Sequence, residues 1–369
     1  MSPYILYVFS AFFLSAVCGL VFIPVILDYC KRKKLYDIPN ERKVHTNSIP
    51  RLGGLCFMPS MLLAFIGSLF LFDYQSGVSR FDVSLWTVMF FISLMLIYIT
   101  GIIDDIFGLK ATTKFIVQVI AASFLPLSNL YINNFYGFLG IHEIPYWVGA
   151  PLTVFIIVFI DNAINLIDGI DGLAGGLSLL ALGGFLYCFF TEGLWIYSIL
   201  IAGLMGVIVA FLYFNIWGKA ERNTKLFMGD SGSLTLGFIL GFLFVKFAMD
   251  NPMVMPFRTD SLMLSLTLLI IPMFDVVRVV FVRLHHRKPL FSADKNHIHH
   301  RLMLAGMTQH QALITILLFA IAYTVINLFL YQIVGLILTW IILIDILIYV
   351  LFHHVVNSFI ASAQEEAGK

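Results

Sequence analysis

This sequence predicts an all-α, polytopic membrane protein of about 11 transmembrane helices, and three observations carry that prediction. Hydrophobic residues fill 60% of the 369 positions and charged ones only 12%, with a mean hydropathy of +0.95, whereas soluble chains are roughly a quarter charged. Apolar runs long enough to cross a hydrocarbon core of about 30 Å recur along the whole chain. Lys and Arg gather in alternate connections, as they do in loops that stay in the cytoplasm.

The runs cover approximately 4 to 27, 53 to 72, 83 to 102, 115 to 130, 147 to 164, 177 to 191, 194 to 214, 231 to 249, 261 to 282, 311 to 330 and 334 to 352. The first is expected to remain as a helix: it is longer than a signal-peptide core, lacks a small-residue cleavage pattern and has no basic residue before it. After it come Lys31, Arg32, Lys33, Lys34, Arg42, Lys43 and Arg51. Counting alternate sides from there, the same face receives Lys110 and Lys114, then Lys219, Arg222 and Lys225, then Arg283, Arg287, Lys288, Lys295 and Arg301, and the C-terminal tail. The opposite face holds only Arg80, Lys246 and Arg258. The N-terminus is therefore expected outside and the C-terminus in the cytoplasm.

Segments 73 to 82, 131 to 146 and 250 to 260 read as short or turn-rich outer connections without a reactive cluster. No repeat or low-complexity tract divides the chain, so residues 1 to 369 are expected to form one integral-membrane domain. A net charge of +1 gives no bulk field for nucleic acid. Cys18, Cys30, Cys56 and Cys188 lie in or beside apolar runs with no Cys-x-x-Cys spacing, as small core residues do.

Five polar clusters fall on the predicted cytoplasmic side. The fullest is Asp161-Asn162-Ala163-Ile164-Asn165-Leu166-Ile167-Asp168-Gly169-Ile170-Asp171-Gly172, which follows an uncharged run from Trp147 to Ile160. Carboxylates and amides at a helix exit can hold a hard cation, and glycines let the backbone turn closely around a small ligand. A plain polar loop would share these residues. Asp104-Asp105 ends the third run, with Lys110 and Lys114 after it; adjacent carboxylates repel unless a cation relieves them. Phe227-Met228-Gly229-Asp230-Ser231-Gly232 opens the eighth run, where Asp230 could bind magnesium or cap the helix.

The remaining two clusters are basic. Arg42-Lys43-Val44-His45 leads to Arg51-Leu52-Gly53-Gly54, able to meet phosphate or simply to anchor the loop. Arg283 to Arg301 includes His285, His286, His297, His299 and His300. Zinc fits poorly among so many cations without a cysteine, whereas imidazole beside arginine suits a diphosphate. Paired carboxylates, a magnesium site and phosphate-binding cations on one membrane surface suit phosphoryl transfer between a lipid and a soluble substrate. An ion-coupled transporter is the reading from another class, but its site belongs near the midplane, often between repeats.

These motifs resemble the polyprenyl-phosphate N-acetylhexosamine-1-phosphate transferases (glycosyltransferase family 4), and the resemblance covers the chain in order. It rests on 42–54, Asp104-Asp105, 165–172, Phe227 to Asp230 and His297-Ile298-His299-His300-Arg301. It implies a bacterial inner-membrane enzyme that transfers a sugar 1-phosphate from a UDP-sugar to undecaprenyl phosphate, releases UMP, and serves cell-wall or O-antigen polysaccharide synthesis. Magnesium, replaceable by manganese, is the implied cofactor, and a homodimer is compatible with the family. By resemblance, Asp230 and Asn165 hold the metal, and Asp104 or Asp105 deprotonates or orients the lipid phosphate, with Asp168 in the same catalytic acidic cluster. Lys114, His45, His297, His299, His300 and Arg301 contact substrate, chiefly phosphate, while Phe227 and Asp171 address the uracil. The interrupted His297-Ile298-His299-His300 run looks like the N-acetylglucosamine branch; another UDP-aminosugar is the alternative. Thr112 stands where some relatives carry lysine, which leaves Lys110 and Lys114 as the local cations.

Overall fold

The computed structural model describes residues 4–37, 49–76, 84–287, 289 and 296–367. The eleven apolar runs all overlap helices. These are α1 (Tyr4–Lys33), α2 (Phe57–Ser76), α3 (Leu85–Phe107), α4 (Ala111–Leu127), α5 (Tyr146–Ile167), α6 (Leu173–Thr191), α7 (Trp195–Trp217), α8 (Asp230–Ala248), the pair α9 (Ser261–Leu268) and α10 (Ile270–His285), then, beyond the short α11 (Ile298–Leu304), α12 (Gln309–Gln332) and α13 (Leu338–Ala367). Among the described residues nine helices are long and apolar enough to cross a membrane, and the α9–α10 pair makes a tenth candidate. The chain is thus an all-α, multi-pass membrane protein.

Two runs depart from simple spans. α4 has 17 residues, which at about 1.5 Å per residue falls short of the hydrocarbon thickness. The run at 261 to 282 is broken at Leu269 and bent by 70°. Pro272, in the first turn of α10, has no N–H to return to Leu268, so the preceding helix ends there. The connection between α4 and α5 also holds more structure than its turn residues suggested: β3 (Asn134–Phe138) and β4 (Ile141–Glu143) pair antiparallel, with Gly137 and Gly140 at positive φ. A second small ladder joins β1 (Tyr36–Asp37) to β2 (Ile49–Pro50).

α8 lies at the centre. Its membrane window is wholly buried, and α3, α5, α6 and α9 pack around it. Small residues allow that closeness. A Cβ at Gly54 would fall 1.9 Å from the Gly232 nitrogen, one at Gly101 2.5 Å from Ser231 Cα, and one at Gly237 2.6 Å from Asp161 Cα. The fold therefore places the N-terminus of α8 where chain segments from several of the motifs meet.

Candidate active site

α8 begins in a fixed seat. Gly53 N–H donates to the Phe227 carbonyl at 2.9 Å, Gly54 N–H to Met228 at 2.7 Å, and Phe227 N–H returns a bond to Pro50 at 2.8 Å. The Gly-rich half of the first motif thus pairs with the backbone of the fourth. Gly229 then turns the chain at φ 72°, a region that favours glycine, and a side chain there would also strike Arg51 O and the Asp105 carboxylate.

The adjacent carboxylates have separate tasks. Asp105 is 4% exposed and accepts the first two N–H groups of α8, from Asp230 at 2.8 Å and Ser231 at 2.9 Å. It is a helix cap supplied from another helix, where negative charge also meets the positive end of the helix dipole. Asp104 faces the other way. Its Oδ1 accepts from Leu109 N–H, and its Oδ2 meets Lys114 Nζ at 3.1 Å.

Lys114 also reaches Asp230 Oδ2 at 2.9 Å, so one ammonium stands between two carboxylates. The other Asp230 oxygen accepts from Asn165 Nδ2 at 2.6 Å, and the same nitrogen donates to Ser233 Oγ at 2.8 Å. With its amide hydrogens so used, Asn165 has its carbonyl oxygen left to face a cation. Asp168, at the exit of α5, is half-buried. Burial first, then the nearby Asp230, Asp171 and Asp105 charges, push its carboxyl up to about 7.

Around this centre Asp171 pairs with Lys225 Nζ at 2.7 Å. Asn215 ties the two loops together: its Oδ1 accepts from Gly172 N–H at 2.7 Å and its Nδ2 donates to the Leu226 carbonyl at 2.9 Å. Phe227 is half-buried beside this junction.

The histidine motif approaches through α11. A Cβ on Gly169 would lie 2.1 Å from His299 Nε2, which puts that imidazole against the loop between Asp168 and Ile170. His299 is fully buried, and burial, reinforced by His300, lowers its pKa to about 3, so the ring is neutral at pH 7. His300 lies beside it, with ring centroids 4.1 Å apart. His297 turns to Asp275, Nδ1 to Oδ2 at 2.7 Å, and Asp275 also accepts from Ile298 N–H and pairs with Arg278. Arg301 donates to Asn357 of α13; burial, then Arg278, lowers its pKa. His45 lies outside the described residues, as do Arg42 and Lys43.

Sequence reading gave no role to Asn215, Asp275 or Gln118, counted Asp161 only as part of the acidic cluster and used Lys225 only as a topology marker. The signal was there: Gln118, Asn215 and Asp275 each interrupt an apolar helical run, the setting in which intramembrane polar residues are retained for a purpose.

A convergence of motif segments, with an ammonium bridging carboxylates at a helix N-terminus, is suited to holding phosphate charge. Comparison with known proteins agrees. The sequence profile described as "Glycosyl transferase family 4" matches residues 86–248. The chain is 31% identical over 329 residues to the probable undecaprenyl-phosphate N-acetylglucosaminyl 1-phosphate transferase of Bacillus subtilis, covering 85% of this chain and 82% of that one. It is 31% identical over 306 residues to the decaprenyl-phosphate N-acetylglucosaminephosphotransferase of Mycobacterium tuberculosis (76% and 72% covered). With the undecaprenyl-phosphate alpha-N-acetylglucosaminyl 1-phosphate transferase of Yersinia pestis the identity is 28% over 290 residues (78% and 74% covered). By its motifs, their meeting around α8 and these similarities, the chain belongs to glycosyl transferase family 4, the membrane sugar-1-phosphate transferases.

Proposed function

We propose that the protein transfers N-acetylglucosamine 1-phosphate from UDP-N-acetylglucosamine to undecaprenyl phosphate, leaving UMP and the lipid diphosphate sugar that starts a cell-envelope glycan. The observation that carries this reading is the Lys114 ammonium between Asp104 and Asp230, beside Asn165. The relatives' names supply the polyprenyl phosphate and the sugar. On this reading the chain is one domain in the bacterial inner membrane. Eleven crossings follow if α4 and the α9–α10 pair each count as one, and the basic connections put the N-terminus outside and the site on the cytoplasmic face.

An oxygen of the lipid phosphate attacks the sugar-bearing phosphorus of the UDP-sugar. A P–O bond forms there, the bond from that phosphorus to the UMP oxygen breaks, and its electron pair leaves with UMP. The sequence alone gave the lipid phosphate's proton to Asp104 or Asp105; since Asp105 caps α8 and Asp104 is held by Leu109 and Lys114, we assign it to Asp168, which titrates near neutral pH. Lys114 and Arg301 offset the diphosphate charge, while neutral His299 can donate one N–H. On this reading Asp171 and Phe227 address the uracil.

The donor set also fits magnesium. No group of three His, Cys, Asp or Glu side chains among the described residues makes an all-protein cage; magnesium is commonly held by one or two carboxylates together with substrate phosphates and water. Asp230 and the Asn165 carbonyl would hold it. When bound it would neutralise charge building on the leaving phosphate.

Purified protein in detergent, given undecaprenyl phosphate, magnesium and a panel of UDP-sugars, should release UMP and yield a lipid diphosphate N-acetylglucosamine by mass. Turnover should rise about tenfold per pH unit up to about 7 and then level, because the carboxylate form of Asp168 is lost below its raised pKa. A product with a different sugar would keep the reaction and replace the donor. Folded protein releasing no UMP from any donor would return attention to ion-coupled transport, measured as flux in liposomes.

A further inference from the structure

Beneath the site, one turn deeper into the membrane, lies a second polar layer. Gln118 follows Lys114 by four residues on α4, and Asp161 precedes Asn165 by four on α5, so each pair shares a helix face. Gln118 is 2% exposed and Asp161 1%. Gln118 Nε2 donates to Asp161 Oδ2 at 2.9 Å, and Gln118 Oε1 accepts from Asn162 Nδ2 at 2.9 Å. One amide therefore binds α5 at two successive residues, and its orientation is fixed because donor and acceptor are both engaged.

α8 completes the layer. Gly237 follows Ser233 by four residues. Asn165 bonds Ser233 in the upper layer, and a Cβ on Gly237 would lie 2.7 Å from Asp161 Oδ1 in the lower one. The three helices that carry Lys114, Asn165 and Asp230 thus share one deeper contact point. Asp161 Oδ1 finds no hydrogen-bond partner there. A carboxylate and two amides inside membrane helices are costly as mere filling.

We propose that Gln118 and Asp161 are positioning residues of the transfer site. They set the α4–α5 register and hold Lys114 and Asn165 so that both converge on the two oxygens of Asp230. The inference rests on the reading that these three residues act on the substrates. It assigns no contact with substrate to the deeper pair.

The test compares wild type with Gln118→Leu, Asp161→Leu and Asp161→Asn. It reads kcat, KM for both substrates, the magnesium concentration for half-maximal rate, the thermal shift given by UMP with magnesium, and Tm. Gln118→Leu should lower kcat at least tenfold, raise the magnesium requirement and shrink the UMP–magnesium shift, with KM for the lipid nearly constant and Tm within a few degrees. Asp161→Leu should behave alike. Asp161→Asn, which keeps an oxygen for Gln118, should restore most of kcat. Wild-type kcat and magnesium requirement in both leucine variants would overturn the proposal. So would losses that track a fall in Tm and are not rescued by asparagine, which is what helix packing alone predicts. Wild type that releases no UMP would instead remove the transfer reading, and this inference with it.

Discussion

Asp230 opens α8 and Lys246 sits in its last turn, about 24 Å away along the axis. Both are charged residues on the most enclosed helix of the protein, yet their surroundings share nothing. Asp230 meets an ammonium and an amide, and its helix end is capped by Asp105. Lys246 is fully buried, and its Nζ has no hydrogen-bond partner. It lies over the Trp86 ring at 3.2 Å, with Tyr197 at 5.5 Å. Aromatic faces can hold a cation without fixing its direction closely, whereas a reacting group needs its bearings set by several hydrogen bonds. On α8, the polar partners gather at the end where the motifs meet.

That contrast can be broken most sharply at Asp230. Asp230→Ala should cost transfer a factor of about 1,000 or more, on the scale of losing a preorganised electrostatic group. Its effect on Tm should be small, since Asp105 still caps the helix; a folded variant with near-normal UMP release would sink the assignment.

Asp105 sharpens the comparison from the other side. Asp105→Ala leaves two buried N–H groups of α8 without acceptors, at about 1–3 kcal/mol each. Thermal denaturation in detergent should show the loss of stability along with the loss of turnover. Asp104→Asn should reduce turnover with Tm nearly unchanged. Equal stability losses from the two would mean that the neighbouring carboxylates do not divide their work.

At the far end the effect should be least. Lys246→Leu should keep UMP release within about twofold, and Tm should hold or rise, because exchanging a buried charge for packed hydrocarbon is often neutral or stabilising. A large drop in turnover would show that the aromatic end is not separate from the chemistry.

Much of this molecule was legible in its sequence because the bilayer polarises composition. Helix positions followed from hydropathy, and the motif residues stood out as charges among apolar neighbours. What composition could not reveal were pairings across long stretches of chain. Asp104 and Asp105 are adjacent and chemically identical; only the fold shows that one faces Lys114 and the other reaches a helix 125 residues later. The same holds for Asn215, whose partners lie on two different loops, and for Asp275, whose pairing with His297 spans 22 residues. The break at Leu269 depended on how Pro272 falls within a turn, a detail that a hydropathy average smooths away.

The enclosure of α8 also bears on how the protein is made. Among the nine long spans it has the lowest mean hydropathy, 1.6, and it alone is buried along its whole window. It gains least from lipid and most from neighbours that are synthesised both before and after it. During biogenesis α8 is thus the span least suited to wait alone in the bilayer. Its capture by the ends of α2, α3 and α5 would bring the motif residues together in the same event that completes the helix bundle.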